Sequence, residues 1–145
     1  MKVVFVCTGN TCRSPMAEGI FKVLLKEHGI SDINCESCGL AACPGEPASE
    51  YAVEAAAVFD ADISSHRSRA LSRYLIDETD LFVCMTSSHL SALSPFVPSD
   101  KLMLLSDKGI SDPYMGSRED YALCAEQIYN SLKNLIKTVG ADKNE

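Results

Sequence analysis

Apolar residues along this chain follow two different periods. Residues 3–6 (VVFV) and 81–85 (LFVCM) are uninterrupted apolar runs. Runs this short, rich in β-branched and aromatic side chains, predict strands buried on both faces of a parallel sheet. Residues 34–37, ending at Gly39, and residues 101–105 predict two more strands. Between them the period lengthens. Residues 15–27 place Met16, Ala17, Ile20, Phe21, Val23, Leu24 and Leu25 at helical spacing, and Gly29 supplies the stop. An Ala-rich helix is expected over 49–59 with Ser49 as N-cap, and shorter helices over 70–77 and 87–93. A long amphipathic helix over 118–139 carries the stripe Tyr121, Cys124, Ile128, Leu132, Leu135, Ile136 and Val139. Residues 44–47 and 107–116 read as loops.

Strands alternating with helices imply right-handed crossovers. The expected fold is a four-stranded parallel sheet flanked by helices, in a single α/β domain over residues 1–145. Ligands of such sheets sit beyond the carboxyl ends of the strands. Cys7, the loop after Met85 and the loop after Leu105 all lie at that end, so a site should draw on them.

Composition narrows the class. The 145 residues suffice for one domain with a real core, and 46% hydrophobic with 23% charged residues fits a soluble globular chain. A net charge of −7 argues against a nucleic-acid partner, which needs a basic face. No segment reaches the length of a membrane span. MKVVFVCTGN lacks the long apolar region and cleavage site of a secretory signal, so a cytoplasmic chain without a membrane partner is expected. The seven cysteines, an odd number, are then expected as free thiols that do catalytic or redox work rather than form bridges.

CTGNTCRS, Cys7 to Ser14, joins the first strand to the first helix. Such a loop aims backbone N–H groups at one point and adds the positive end of a helix dipole. Gly9 and Asn10 tolerate the positive φ that a loop wrapped around an anion needs. Arg13 offers a planar fork for two phosphoryl oxygens, and Pro15 suits a first helical turn. The same field favours the thiolate of Cys7, to which Ser14 can donate a hydrogen bond. The loop is expected both to cradle an oxyanion and to activate a nucleophile. It lacks the Gly-Lys-Ser/Thr ending of a nucleotide-binding loop. Thiolate attack on phosphorus also needs an acid at the leaving group. Asp112, before Pro113 in the loop after the fourth strand, is the candidate, with Asp100, Asp107 and Asp120 as competitors. An Asp-Pro pair also simply builds turns.

CTGNTCRSP near the N-terminus, with DPY far downstream, resembles the low-molecular-weight protein tyrosine phosphatase family. Cys7 to Pro15 matches the family motif Cys-x-Gly-Asn-x-Cys-Arg-Ser-Pro at every fixed position, and length and element order are similar over the whole chain. The resemblance implies a Rossmann-like three-layer fold. It implies Cys7 as nucleophile, Arg13 as phosphate clamp and Asp112 as general acid. Thr8, Gly9, Asn10, Thr11, Cys12 and Ser14 would surround the phosphoryl group, with Ser14 stabilising the thiolate. Asn10 would fix the loop through Ser37 and His66, and Tyr114 would wall the pocket. The implied reaction is hydrolysis of phosphorylated protein side chains through a cysteinyl-phosphate. Phosphoproteins are the implied partners, no metal or other cofactor is needed, and a monomer is expected. Cys12, as the family's second loop cysteine, can form a reversible disulfide with Cys7 under oxidation; the alternative is a small buried loop residue. Tyr114 and Tyr121 are potential regulatory phosphorylation sites, although a pocket wall and a core helix residue explain them better.

The residue before Cys12 is usually Ile or Leu in the tyrosine phosphatases. Thr11 instead resembles the protein-arginine phosphatase branch. A bulky aliphatic would press on a flat, polar guanidinium, whereas Thr is shorter and offers a hydroxyl near the leaving nitrogen. Tyr114 pulls the other way, because an aromatic after the Asp-Pro is typical of the tyrosine phosphatases. Phosphoarginine is the favoured substrate and phosphotyrosine the alternative.

Other readings of the same residues are weaker. Arsenate reduction on this fold needs a cascade of cysteines with a downstream pair, and Cys84 has no partner before Cys124. Cys35, Cys38 and Cys43 invite a metal module. In a strand, however, Cys35 and Cys38 face opposite ways, and His28, His66 and His89 supply no adjacent fourth ligand. A non-catalytic phosphate sensor would need neither Cys7 nor Asp112. The segments around Pro44 and Ser88 are expected at the pocket rim.

Overall fold

A computed structural model describes residues 1–141; residues 142–145, the end of the expected 1–145 domain, lie outside the described residues. Strands β1 (Lys2–Cys7), β2 (Asn34–Gly39), β3 (Leu81–Cys84) and β4 (Leu102–Leu104) form one parallel sheet in the order β2-β1-β3-β4. The register sets Cys7 beside Gly39 and Val6 beside Cys84, so three strands end together on one side.

β1 is apolar throughout because both faces of the sheet are covered. Val3 and Phe5 enter one layer, with helices α1 (Arg13–Glu27), α2 (Glu50–Ala57) and α5 (Arg118–Ala141). Val4 and Val6 enter the other, with Leu75 of α3 (Arg73–Glu78) and Leu93 of α4 (Ser87–Leu93). This is the expected three-layer arrangement. Phe5 meets Phe21 of α1 edge-on, with ring centroids 5.4 Å apart. The predicted stripe of α5, from Tyr121 to Val139, is buried against that layer. Gly29 ends α1 with φ of 66°, a conformation that costs glycine little.

The differences from the sequence reading have local causes. α1 opens at Arg13 rather than residue 15, because the loop runs straight into the first turn. Ser49 takes the N-cap backbone position of α2, but its hydroxyl makes no cap bond and lies 3.5 Å from Cys12 Sγ instead. α2 itself stops at Ala57, short of residue 59. The helix expected over 70–77 begins only at Arg73, capped by Ser72, which accepts from the Leu75 N–H. Ala70 forms a parallel bridge with Gly39, and an extended residue cannot also be helical. Lys101 closes a short 3-10 turn, Ser99–Lys101, so β4 is shorter than residues 101–105. Among the described residues, no helix is long and apolar enough to cross a membrane.

Phe5 is fully buried between the sheet and α1. Phe5→Ala should lower the unfolding free energy by about 3–5 kcal/mol, read as an earlier urea midpoint with an unchanged slope.

Candidate active site

β1 delivers Cys7 to the carboxyl end of the sheet, and the chain folds back over it before α1 begins. Asn10 holds this turn. Its φ is 58°, a region that Asn visits more readily than most residues. The side chain is fully buried and satisfied. Nδ2 donates to Ser14 Oγ at 2.8 Å and to Ser37 Oγ at 3.0 Å. Oδ1 accepts from the Arg69 N–H at 2.9 Å, and the Asn10 carbonyl accepts from His66 Nε2 at 2.8 Å. Ser37 in turn donates to Glu18 Oε1 at 2.7 Å, and Glu18 holds Lys22. Sequence reasoning missed Glu18; its only signal was the helical spacing to Lys22.

Two donors meet the Cys7 sulfur. The Asn10 N–H lies 3.3 Å from Sγ and Ser14 Oγ lies 2.9 Å away. Ser14 accepts from Asn10, and of the two acceptors open to its hydroxyl proton the Cys7 sulfur at 2.9 Å is nearer than the Cys38 carbonyl at 3.5 Å. The thiol also sits at the N-terminus of a 15-residue helix, whose dipole favours negative charge there. Burial pushes the Cys35, Cys38, Cys84 and Cys124 thiols up to about 12, which keeps them protonated in the core.

Gly39 gives the loop its room. A Cβ there would stand 2.5 Å from the Thr8 carbonyl oxygen and 3.0 Å from the Asn10 nitrogen. From sequence this residue signalled only the end of a strand.

Arg13 is 5% exposed. Nη1 donates to the Ile110 carbonyl at 3.1 Å, and Nη2 lies 3.4 Å from Asp112 Oδ2. The loop bearing Asp112 is anchored just before it, at Gly109 and Ile110. The Ile110 N–H donates to the Met85 carbonyl at 2.8 Å, and Gln127 of α5 donates to the Gly109 carbonyl at 2.8 Å. Asp112 Oδ1 accepts from the Tyr114 N–H at 3.1 Å, so the residue builds a turn while it also lines the cavity. The competitors are elsewhere. Asp120 accepts from the Ser117 N–H, Asp107 lines a different cavity, and Asp100 lies in the 3-10 turn.

All residues from Cys7 to Arg13 line one cavity of about 300 Å³, together with Asp112 and Tyr114. Ser37 and His66 lie behind the loop and meet it through Asn10, whereas Ser14 meets both Asn10 and the Cys7 sulfur. The rim includes Cys43 and Glu46, as expected for the segment around Pro44. Ser88 does not reach it, because α4 meets the loop through His89 instead.

No local sequence pattern assigns His89 a role at the loop. Its Nδ1 accepts from the Thr86 N–H at 3.2 Å, so Nε2 carries the proton and donates to Thr8 Oγ1 at 2.9 Å. Burial first, and then the charge of Arg13, pull the imidazole down to about 4, so it is neutral at pH 7. Cys12 has a similar support. Tyr121 OH lies 3.3 Å from its sulfur, and burial followed by that contact pushes the phenol up to about 12. Cys7 and Cys12 are both free thiols. Cys35 and Cys38 belong to opposite core layers and Cys43 is exposed. Among the described residues no three His, Cys, Asp or Glu side chains converge as metal ligands.

Residues 2–145 match the family model described as low molecular weight phosphotyrosine protein phosphatase. The chain is 34% identical to a protein-arginine-phosphatase of Bacillus subtilis (strain 168), covering 99% of each chain. It is 31% identical to the low molecular weight protein-tyrosine-phosphatase Wzb of Salmonella typhi, covering 99% of this chain and 97% of that one. A solved structure of YwlE arginine phosphatase, a C7S mutant with a phosphorylated active-site serine, superposes with a TM-score of 0.91 at 32% identity over 99% of both chains. A low molecular weight protein tyrosine phosphatase from T. tengcongensis gives 0.88 at 38% identity, over 95% of this chain and 99% of that one. A loop cysteine at a strand end, beneath a helix N-terminus and beside a buried arginine, is the arrangement of the cysteine-based protein phosphatases. The chain belongs to the low molecular weight phosphotyrosine protein phosphatase family.

Two outcomes follow for the loop. Gly39→Ala should displace residues 8–10 and lower kcat/KM on an aryl phosphate by at least about tenfold, since misplacing reacting groups is costly. His89 remains neutral in the fold down to about pH 4, whereas its ordinary value is 6.5. The unfolded chain therefore takes up the proton first as the pH falls. His89 stabilises fully above pH 6.5, and that contribution is lost towards pH 4. The urea midpoint of wild type should fall more between pH 7 and pH 5 than that of His89→Gln.

Proposed function

We propose that the protein hydrolyses phosphorylated protein side chains through a cysteinyl-phosphate, with phosphoarginine as the preferred substrate. The observation that carries the mechanism is the convergence of Cys7, Arg13 and Asp112 on one cavity beneath the α1 N-terminus. Arg13 grips two phosphoryl oxygens while the loop N–H groups from Thr8 to Arg13 take the others. The Cys7 thiolate attacks phosphorus. The bond from phosphorus to the leaving nitrogen or oxygen breaks, and Asp112 gives its proton to that atom. Asp112 then takes a proton from water, whose oxygen attacks phosphorus. The S–P bond breaks, phosphate leaves, and the thiolate returns.

Thr11 supports the arginine substrate. It lines the cavity with a hydroxyl instead of the aliphatic side chain typical of tyrosine phosphatases, and a relative of full-length similarity is a protein-arginine-phosphatase. Phosphotyrosine is the second reading, favoured by exposed Tyr114 at the same cavity and by the tyrosine phosphatases among the relatives. The enzyme acts as a cytoplasmic monomer on phosphoproteins and needs no metal. Asn10, Ser14, Ser37 and His66 keep the loop in shape.

The test is kcat/KM on phosphoarginine and phosphotyrosine for wild type, Thr11→Ile and Asp112→Asn. Wild type should prefer phosphoarginine, and Thr11→Ile should erode that preference by about tenfold or more. Asp112→Asn should lose about a hundredfold or more on both substrates. Preference for phosphotyrosine that survives Thr11→Ile would assign the second reading.

A further inference from the structure

The pocket mouth carries a charge that the hydrolytic machinery does not use. Glu46 lines the same cavity as Cys7, Thr11 and Asp112. Its backbone is pinned to Ser68, which is itself 3% exposed. The Glu46 N–H donates to Ser68 Oγ at 2.9 Å, and the Ser68 N–H donates back to the Glu46 carbonyl at 2.7 Å. The position is therefore fixed while the side chain is exposed. Among the described residues its carboxylate has no hydrogen bond or ion pair, whereas Glu18, Glu36 and Glu54 are held by Lys22, Arg69 and Arg118.

This charge is unfavourable for a substrate that brings only a phosphoryl dianion. The dianion has to pass the carboxylate, and like charges at the mouth of a cleft slow entry. Among the described residues Arg13 is the one cation lining the cavity, and it is already paired with Asp112. A positive group directly behind the phosphorus reverses the sign of the interaction. A guanidinium supplies that charge; a phenol ring does not.

Building on the phosphoarginine reading, we propose that Glu46 is a specificity residue. It selects phosphorylated side chains with a cationic group beside the phosphoryl, the phosphoguanidinium above all, and disfavours phosphotyrosine. The experiment measures kcat/KM on phosphoarginine and phosphotyrosine peptides of otherwise identical sequence, for wild type, Glu46→Gln and Glu46→Lys, at low and high salt. The ratio of the two values should fall by about fivefold in Glu46→Gln at low salt, the upper range for an exposed charge pair. It should fall further in Glu46→Lys, with phosphotyrosine turnover rising, a gain that misfolding cannot produce. The differences should shrink in high salt. A ratio unchanged in Glu46→Lys overturns the role of Glu46 and leaves the substrate reading intact. A wild-type enzyme that does not turn over phosphoarginine overturns the substrate reading and this proposal together.

Discussion

The shape of the loop around Cys7 depends on one buried amide. Asn10 adopts a backbone conformation that most residues avoid, and its side chain ties that conformation to β2, to the Arg69 backbone and to the start of α1. The bonds to Ser14 and Ser37 are buried, so losing a partner there strands a polar group at a cost of about 1–3 kcal/mol. The network is mutually supporting. Asn10 donates to the Ser14 oxygen, which leaves the Ser14 proton to point at the Cys7 sulfur at 2.9 Å or, more distantly, at the Cys38 carbonyl at 3.5 Å.

Every layer of the fold contributes to holding this loop. β2 provides Ser37 and the open space above Gly39. α4 provides His89 against Thr8, and α5 provides Tyr121 against Cys12. The parallel sheet makes this convergence possible, because strands that end together bring distant segments to one point. Arg13 and Asp112 come from opposite ends of the chain and lie 3.4 Å apart. Their pairing offsets the charge of Arg13, so the exposed charge of Glu46 at the mouth matters for what enters.

Much of this was legible in the sequence for physical reasons. Continuous apolar runs and helical stripes are forced by burial, so β1, β3, α1 and α5 appeared close to their true positions. The loop was legible because anion binding restricts residue type at nearly every position from Cys7 to Pro15. The misreadings fall where tertiary contacts override local pattern. Ala70 was assigned to a helix but pairs with Gly39 across the sheet edge. Ser49 has the composition of a cap, yet its hydroxyl faces Cys12. His89, Glu18 and Tyr121 are ordinary helix residues by pattern. Their contacts with the loop come from packing between segments far apart in sequence, which no local period records.

The central claim is that Cys7 becomes covalently phosphorylated, and trapping that state tests it directly. Asp112→Asn mixed with an activated aryl phosphate forms the intermediate without needing an acid, because the leaving group departs unaided. Its breakdown is slow, because the attacking water has lost its base. Intact-mass analysis with peptide mapping should find one phosphoryl group on Cys7, absent in a Cys7→Ala, Asp112→Asn double variant. Turnover that proceeds with no phosphoryl adduct, or with the adduct on another residue, would contradict the account.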